Sequence, residues 1–185
     1  MPEQQLRMMR PDLEDLPEIS VPDGYALRTY RPGDEAAWCE IMNTGIGTDW
    51  TAEKCRKELT DTEPFMADGC FFAMRTGEAG EAVATACAYD VQPEGISAAQ
   101  VHAAQVHMVC AKPAHRGRGL GRLVTLAVLH YMRERGYAAA FLGTDDFRVP
   151  AVRTYLGLGF IPDYIEDSHR LRWSSVFAEI GEQPS

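Results

Sequence analysis

The sequence lacks the cysteine patterns that mark disulfide-rich and zinc-binding proteins. Its five cysteines are odd in number, no CxxC pair occurs, and the nearest two, Cys55 and Cys70, lie fifteen positions apart. Cysteines scattered in this way predict neither a disulfide framework nor a structural metal site. We therefore expect free thiols, a reducing compartment and no bound metal.

Signals for membranes, secretion and nucleic acids are also missing. No apolar run approaches the ~20 residues of a membrane span, and the N-terminus carries no apolar segment typical of a signal peptide. The formal net charge of -9 argues against a polyanionic partner. We expect a cytoplasmic protein with no membrane or nucleic-acid partner. Acidity suits a cationic amine substrate, although it is more often a plain solubility feature.

What remains is the composition of one globular domain. The chain has 185 residues, of which 45% are hydrophobic and 24% charged, enough for a sizeable core. Prolines and acidic residues punctuate residues 1–20, which predicts an extended N-terminal arm with a short strand around Leu6–Met9. Residues 21–185 are predicted to form a single domain, and a homodimer stays open.

Hydrophobic periodicity alternates between strand and helix along this domain. Strands are predicted at 24–31, 70–75, 81–89, 100–111, 137–144 and 160–165, and helices after Asp34 and at 51–59, 118–135, 150–156 and 167–180. A short turn makes the second and third strands a hairpin, whereas a connecting helix makes 100–111 and 137–144 parallel. The order predicts an α/β (α+β) fold with a mixed, mostly antiparallel central sheet flanked by helices.

The most informative stretch leads from a buried strand through Arg116-Gly-Arg-Gly-Leu-Gly121 into a helix. Glycines let a ligand approach the backbone, and free N–H groups and the helix dipole favour an anion. Arg116, Arg118 and Arg122 add positive charge to an acidic chain. This combination predicts a site for a phosphate-bearing ligand. The spacing fits neither a P-loop nor a Rossmann fingerprint, and a purely structural glycine turn is the alternative.

Two segments together resemble the GNAT superfamily of N-acetyltransferases. Arg116–Gly121 matches the family's acetyl-CoA pyrophosphate motif, Arg/Gln-x-x-Gly-x-Gly/Ala. Residues 150–160 resemble the family's A-x-x-x-Y-x-x-x-G-F helix and strand, here with Ala151 and Tyr155. The resemblance covers about residues 25–165. It implies the GNAT fold and an acetyl-CoA-dependent N-acetyltransferase.

The resemblance also implies how acetyl-CoA is held. Backbone N–H groups of the glycine turn would cradle the CoA pyrophosphate. Main-chain amides of the preceding strand would bond the pantetheine arm and the acetyl carbonyl. The implied cofactor-binding residues are Val109, Ala111, Arg116, Gly117, Arg118, Gly119, Leu120, Gly121 and Arg122.

The same resemblance implies that Tyr155 donates a proton to the leaving thiolate. A phenol with a pKa near ~10 is a suitable donor to a thiolate whose conjugate acid lies near ~8.5. Helix spacing alone would favour a core aromatic at this position instead. The two interpretations predict different consequences for the loss of the hydroxyl.

The general base is left open among several residues. His107 should share a strand face with Gln105 and Val109 by the period-two rule, and a pKa of about 6.5 suits a base. Some family members use a strand carboxylate matching Gln105, and an amide cannot act as a base. A structural histidine is the alternative for His107. Further candidates, acting through water, are Asp90, Glu94 and Asp145.

The implied reaction is direct attack of a primary amine, on a small molecule or a peptide, in a ternary complex with acetyl-CoA. Cys110 is expected on the opposite strand face from His107, as an inert core thiol. Asp145 and Asp146 would either recognise an ammonium group or cap the next helix. The alternative function is a non-catalytic acyl-CoA-binding sensor on the same fold.

Two departures from the family pattern concern the acceptor side. Many members carry Asn at the start of the second motif, where this chain has Asp146-Phe-Arg148. The family usually closes with a β-hairpin, whereas residues 167–180 predict a helix. The cofactor site is unaffected by either departure.

Overall fold

The structure, a computed structural model, describes residues 4–77, 80–95 and 100–181. Within these residues the chain forms β1 (Leu6–Arg10), β2 (Tyr25–Thr29), α1 (Glu35–Met42), α2 (Ala52–Cys55), β3 (Phe65–Arg75), β4 (Ala82–Tyr89), β5 (Ala103–Ala111), α3 (Leu120–Glu134), β6 (Ala139–Thr144), α4 (Val149–Leu156), β7 (Ile161–Asp163) and α5 (Asp167–Ile180). A π-helical turn over Arg56–Thr60 extends α2, and a 3-10 turn over Pro113–His115 leads toward α3.

The strands form one sheet in the order β2-β3-β4-β5-β6-β1-β7. The β5–β6 pair is parallel, and the other neighbouring pairs are antiparallel. This confirms the predicted fold class and the predicted hairpin, which is β3–β4. The parallel pair follows from the connecting helix α3, which returns the chain to the same end of the sheet.

The N-terminal segment predicted as an extended arm supplies a strand inside the sheet. Leu6 and Met8 of β1 are both 0% exposed, and β1 lies between β6 and β7. The chain then crosses α3, where Leu13 is buried and the Pro17 carbonyl lies 2.8 Å from Nε2 of His130. This crossing explains why apolar residues on more than one side of α3 are buried.

Helices pack on both faces of the sheet. One apolar cluster joins α1 and α2 to β3, β4 and β5, and the other joins α3, α4 and α5 to the opposite face. The predicted C-terminal helix is confirmed as α5, whose Trp173 and Phe177 are buried in the second cluster. Among the described residues, no helix has the length and apolar character needed to cross a bilayer.

Candidate active site

The two central strands separate halfway along their length. Pairing of β5 with β6 runs from Ala103–Ala139 to Gln105–Phe141, and it stops there although β5 continues to Ala111. The rest of β5 therefore presents a free backbone edge to a V-shaped cleft. Backbone N–H and C=O groups need partners when they leave water, so this edge can hold an extended ligand by main-chain hydrogen bonds.

A bulge changes the direction of the side chains along this edge. Met108 is the one non-glycine residue of the described chain with a positive φ, 55°. The register between β4 and β5 shifts at the same place, between Thr85 and Cys87. An extra residue in one strand sends the side chains beyond it to the opposite face from the one that period-two counting predicts.

The prediction that His107 and Val109 share a strand face is therefore wrong. His107 lies opposite Cys87, on the α1 side, whereas Val109 packs against the cluster on the α3 side. The prediction that Cys110 faces away from His107 is wrong for the same reason. Cys110 lies opposite Thr85, and it packs in the α1-side cluster together with Cys87.

The main-chain groups expected to bind the pantetheine arm face the cleft. The Lys112 amide donates to the Val83 carbonyl of β4 at 2.8 Å. Alternate amides in a strand point to opposite sides, so the Ala111 amide points to the cleft, and the Val109 amide does so just beyond the bulge. Their role in binding stays a prediction.

The glycine turn leaves open space above its backbone. Gly117 and Gly119 have φ values of 74° and 75°, which favour glycine. Gly121 has no positive φ, and a Cβ added at any of the three would meet nothing within 4 Å. No packing contact therefore requires glycine at position 121, whereas a ligand close to the backbone would.

The turn also offers unpaired donors at a helix N-terminus. Gly119 is the N-cap of α3. The first amide of that helix with a protein acceptor is that of Leu123, which donates to the Gly119 carbonyl at 2.9 Å. Within the described chain, no backbone acceptor occurs for the amides of residues 117–122. Unpaired amides at the positive end of a helix dipole suit a phosphate.

The three arginines of the turn have different surroundings. Arg122 donates to the Gly157 carbonyl at 3.1 Å and ties α3 to the end of α4. Arg118 is exposed. Arg116 is also exposed, but its Nη2 lies 3.6 Å from where a Cβ on Gly45 would stand. Its guanidinium therefore reaches the loop after α1.

Tyr155 lies on α4, in the same apolar cluster against which Val109 of β5 packs. It is 6% exposed and packs edge-on against Phe160, with ring centroids 5.9 Å apart. Burial raises its pKa to about 12, although the charge of Arg148 opposes this. Its hydroxyl has no hydrogen-bond partner among the described residues and is not among the fully buried polar atoms. A core tyrosine would have its hydroxyl satisfied, so this hydroxyl is available to a ligand.

His107 is neutral at physiological pH. Burial lowers its pKa to about 4, and its ring stacks on Tyr89 with centroids 4.8 Å apart. A neutral imidazole has a free nitrogen that can accept a proton. The lowered pKa makes it a weaker base than an exposed histidine, and its role as general base stays a prediction.

Asp145 and Asp146 do not cap α4, so that part of the prediction is wrong. The N-cap of α4 is Arg148, without a side-chain capping bond. Asp145 instead accepts from Arg148 at 2.7 Å and from Gln5 at 2.9 Å. Burial alone would raise its pKa, but these bonds outweigh burial and lower the pKa. Asp146 pairs with Arg172, whose hydrogen bonds lower its pKa.

The other two candidate bases lie apart from these pairs. Asp90 stands beside Tyr137, whose pKa is raised to about 12 by burial and by the nearby Asp90 carboxylate. The Glu94 side chain is exposed at the rim of a groove. Both stay candidates for a base that acts through water.

That groove was not foreseen from the sequence. It has a volume of about 440 Å³ and lies between the loop at Glu94, strand β1 and the segment after β7. Arg7 of β1 lines it, paired with Asp163 at 2.6 Å. An adjoining pocket of about 280 Å³ reaches Gln105 and Phe141, where the central strands separate. Only contacts distant in sequence create this groove, so no local pattern could have revealed it.

The contacts of Arg148 were also not foreseen from the sequence. Its Nη1 donates to the Gly45 carbonyl at 3.1 Å, so it joins the end of β6 to the loop after α1. It belongs to the Asp146-Phe-Arg148 segment that departs from the family pattern. The departure from the family pattern was the one sign in the sequence that this segment could have a role of its own.

Comparisons with known proteins identify one family. Residues 38–160 match the family described as Acetyltransferase (GNAT) family. The mycothiol acetyltransferase of Nocardia farcinica is 38% identical over 158 residues, which cover 82% of this chain and 50% of that protein. The one from Thermomonospora curvata is 38% identical over 164 residues, or 84% of this chain and 50% of that protein. The chain therefore spans about half the length of these curated relatives.

Solved structures share the fold. A GCN5-related N-acetyltransferase from Sphaerobacter thermophilus superposes with a TM-score of 0.67 at 22% sequence identity, covering 87% of this chain and 50% of that one. At this identity the likeness concerns the fold. It supports the mixed sheet and flanking helices described above.

Proposed function

Because the chain belongs to the acetyltransferase (GNAT) family, we propose that it transfers the acetyl group of acetyl-CoA to a primary amine. One observation carries the proposal above the others. The split between β5 and β6 opens beside a glycine turn whose amides find no backbone acceptor in the described chain. A thioester on an extended arm and a pyrophosphate are the two groups that such a site can hold at once.

Acetyl-CoA binding uses main-chain donors in this scheme. Amides of residues 117–122 hold the pyrophosphate, and Arg116 and Arg118 add charge. The Val109 and Ala111 amides bond the pantetheine arm and polarise the acetyl carbonyl. A donor aimed at the carbonyl oxygen stabilises the negative charge that forms on it during attack.

The reaction proceeds by direct attack in a ternary complex. The amine nitrogen bonds to the acetyl carbon, the carbon–sulfur bond breaks, and its electron pair leaves with the sulfur. His107, or a carboxylate acting through water, takes the proton that the amine loses. The Tyr155 hydroxyl donates a hydrogen bond to the departing sulfur, and the CoA thiolate takes up a proton afterwards. Burial and raised pKa make Cys110 a poor nucleophile for an acetyl-enzyme route.

The acceptor is proposed to be a small-molecule amine related to mycothiol, in its unacetylated form. Two relatives that match more than four-fifths of this chain are named mycothiol acetyltransferase. The groove between β1 and the Glu94 loop supports a polar, cationic acceptor, since Glu94 and Glu166 line it beside Gln4, and Asp163 balances the charge of Arg7. Carboxylates attract an ammonium group, and amides bond to hydroxyls.

A product assay tests the proposal. The protein is incubated with acetyl-CoA and unacetylated mycothiol, polyamines, amino acids, aminoglycosides or peptides. Mass spectrometry quantifies acetylated amine and chromatography quantifies CoA, because an acceptor with its own thiol would confound a thiol dye. We expect equal amounts of both products with at least one amine. Acetyl-CoA binding without product from any amine would instead support the sensor function.

A further inference from the structure

Arg148 brings a fixed positive charge to the cleft. Its Nε bonds Asp145 at 2.7 Å, and its Nη1 donates to the Gly45 carbonyl at 3.1 Å. A guanidinium has five N–H donors, and in the described chain no further acceptor is found for the rest. The side chain is half-buried and held from two sides, so its position is defined before any substrate binds.

Arg148 is the N-cap of α4, and Tyr155 lies in the last turn of that helix. They are seven residues apart, which is about two helical turns, and Val152 between them is 0% exposed. The charge of Arg148 reaches the Tyr155 hydroxyl, since it acts against burial to lower the pKa of that group. It acts in the same direction on the Cys110 thiol across the cleft, where burial again dominates. Geometry agrees, because the Gly45 carbonyl that Arg148 bonds belongs to a residue whose Cβ would lie 3.1 Å from the Cys110 Sγ.

The proposed reaction creates a new negative charge in this region. The carbon–sulfur bond of the thioester breaks as the nitrogen–carbon bond forms, and the electron pair remains on sulfur as the CoA thiolate. The amine proton goes to the base, so the overall products are the acetylated amine, a thiolate and one proton. A negative charge that forms on the sulfur is stabilised by a counter-charge that is already in place.

Tyr155 cannot supply that compensation alone. Its pKa of about 12 lies well above the ~8.5 of an ordinary thiol. Burial weakens the phenol as an acid, which favours a hydrogen bond to the sulfur over complete proton transfer. The hydroxyl can donate a strong hydrogen bond at the moment of departure, but most of the charge stays on sulfur until a proton arrives from solvent.

We propose that Arg148 is a further catalytic residue, a cation that stabilises the departing CoA thiolate beside the hydrogen bond from Tyr155. Asp145 and the Gly45 carbonyl are its positioning groups. The inference rests on the proposed function, because it requires CoA to lie in the split.

The thiol of bound CoA provides a direct readout. A thiolate absorbs in the ultraviolet, and the complex with desulfo-CoA supplies the baseline that removes the protein's own cysteines. Titration of the CoA complex then gives the pKa of the bound thiol. A cation within a few ångströms shifts such a pKa by 1–3 units, so we expect a value at least about one unit below the ~8.5 of a free thiol.

Variants at the N-cap of α4 and within α4 test whether the lowered pKa of the bound thiol depends on Arg148. Arg148→Gln should restore most of the free-thiol pKa, whereas Arg148→Lys should keep a lowered one. Arg153→Gln is the matched control, because it removes an arginine from the same helix on the side that bonds the Ile180 carbonyl of α5. This control should leave the bound thiol unchanged. In steady-state assays, Arg148→Gln should lower kcat about tenfold or more at retained KM for acetyl-CoA.

Two results would overturn the proposal. The first is a pKa of the bound CoA thiol, in the unmodified protein, at or above that of free CoA. This measurement does not depend on the folding of any variant. The second is a lowered pKa that Arg148→Gln leaves in place. Failure of CoA to bind at all would count against the proposed function as well, so the two failures are distinguishable.

Discussion

At the scale of single residues, Gly121 separates the requirements of folding from those of binding. Its φ is not positive, and a Cβ added there would meet nothing within 4 Å. The protein alone therefore gives no reason for glycine, unlike at Gly119, where φ is 75°. The proposed pyrophosphate site supplies the reason, because a side chain would occupy the ligand's space.

Replacement of Gly121 by valine should therefore affect binding and spare stability. The free energy of unfolding should stay within about 0.5 kcal/mol, since valine is no worse than glycine in a helix. The Kd for acetyl-CoA, measured by calorimetry, should rise about tenfold or more with the loss of a charged hydrogen bond. Gly121→Ala is the smaller control and should weaken binding less. Unchanged affinity in Gly121→Val would place the pyrophosphate elsewhere.

His107 makes a second prediction, which concerns acid stability. Burial lowers its folded pKa to about 4, below the ~6.5 of the unfolded chain. The unfolded state therefore binds more protons between pH 6.5 and 4, and stability falls as pH decreases through that window. Urea unfolding at pH 7.5 and pH 4.5 should show a loss roughly 2–3 kcal/mol larger for the natural protein than for His107→Gln. Equal losses in both proteins would mean that His107 is not buried.

At the scale of elements, the turn between α4 and β7 shows how a motif position serves the fold. Gly159 has a φ of 81°, and a Cβ there would collide with the guanidinium of Arg10. Arg10 reaches in from β1 to donate to the carbonyls of Leu158 and Asp15. The glycine that the family resemblance singles out is thus required by contact with the N-terminal strand.

Alanine at position 159 should be costly for that reason. A left-handed φ costs an alanine about 1–2 kcal/mol, and displacement of Arg10 leaves buried carbonyls unpaired at a further ~1–3 kcal/mol. Gly159→Ala should lower the free energy of unfolding by about 2–4 kcal/mol in urea titrations. Gly181→Ala is the matched control, because its φ is 78° with nothing within 4 Å, and it should cost about 1 kcal/mol. Equal effects of the two variants would contradict the Arg10 contact.

Element boundaries and pairings were largely predictable, and strand irregularities were not. Strong periodicity and turn residues predict α3, β6 and α5 close to their observed bounds. The bulge at Met108 has no local signature, because methionine is an ordinary strand residue. It inverts the strand face of every side chain after it, and this is why the predictions for Val109 and Cys110 were wrong.

At the scale of the whole molecule, contacts distant in sequence complete the site. β1 lies beside β6 although more than a hundred residues separate them, and it carries Arg7 into the groove. Arg148 reaches Gly45 across a similar distance. Sequence patterns predict segments and their local chemistry, but these partners depend on how the sheet is ordered. The glycine turn was predictable because strand, turn and helix are contiguous.

Binding of acetyl-CoA should stabilise the whole domain. Acetyl-CoA at about a hundredfold over its Kd adds ~2.7 kcal/mol, and that raises the Tm of a domain of this size by about 5–10 °C. Acetyl-pantetheine lacks the pyrophosphate, so the same concentration should raise Tm much less. Equal shifts in thermal denaturation scans would contradict the assignment of the glycine turn.

The central claim is acetyl transfer assisted by the hydroxyl of Tyr155, and the most direct test is the steady-state kinetics of Tyr155→Phe beside the natural protein. The hydroxyl has no partner among the described residues, so its removal should leave the fold and acetyl-CoA binding intact. We predict a kcat lower by about 10²–10⁴ and a KM for acetyl-CoA within about twofold. A variant that acetylates the amine at the natural rate would contradict the account.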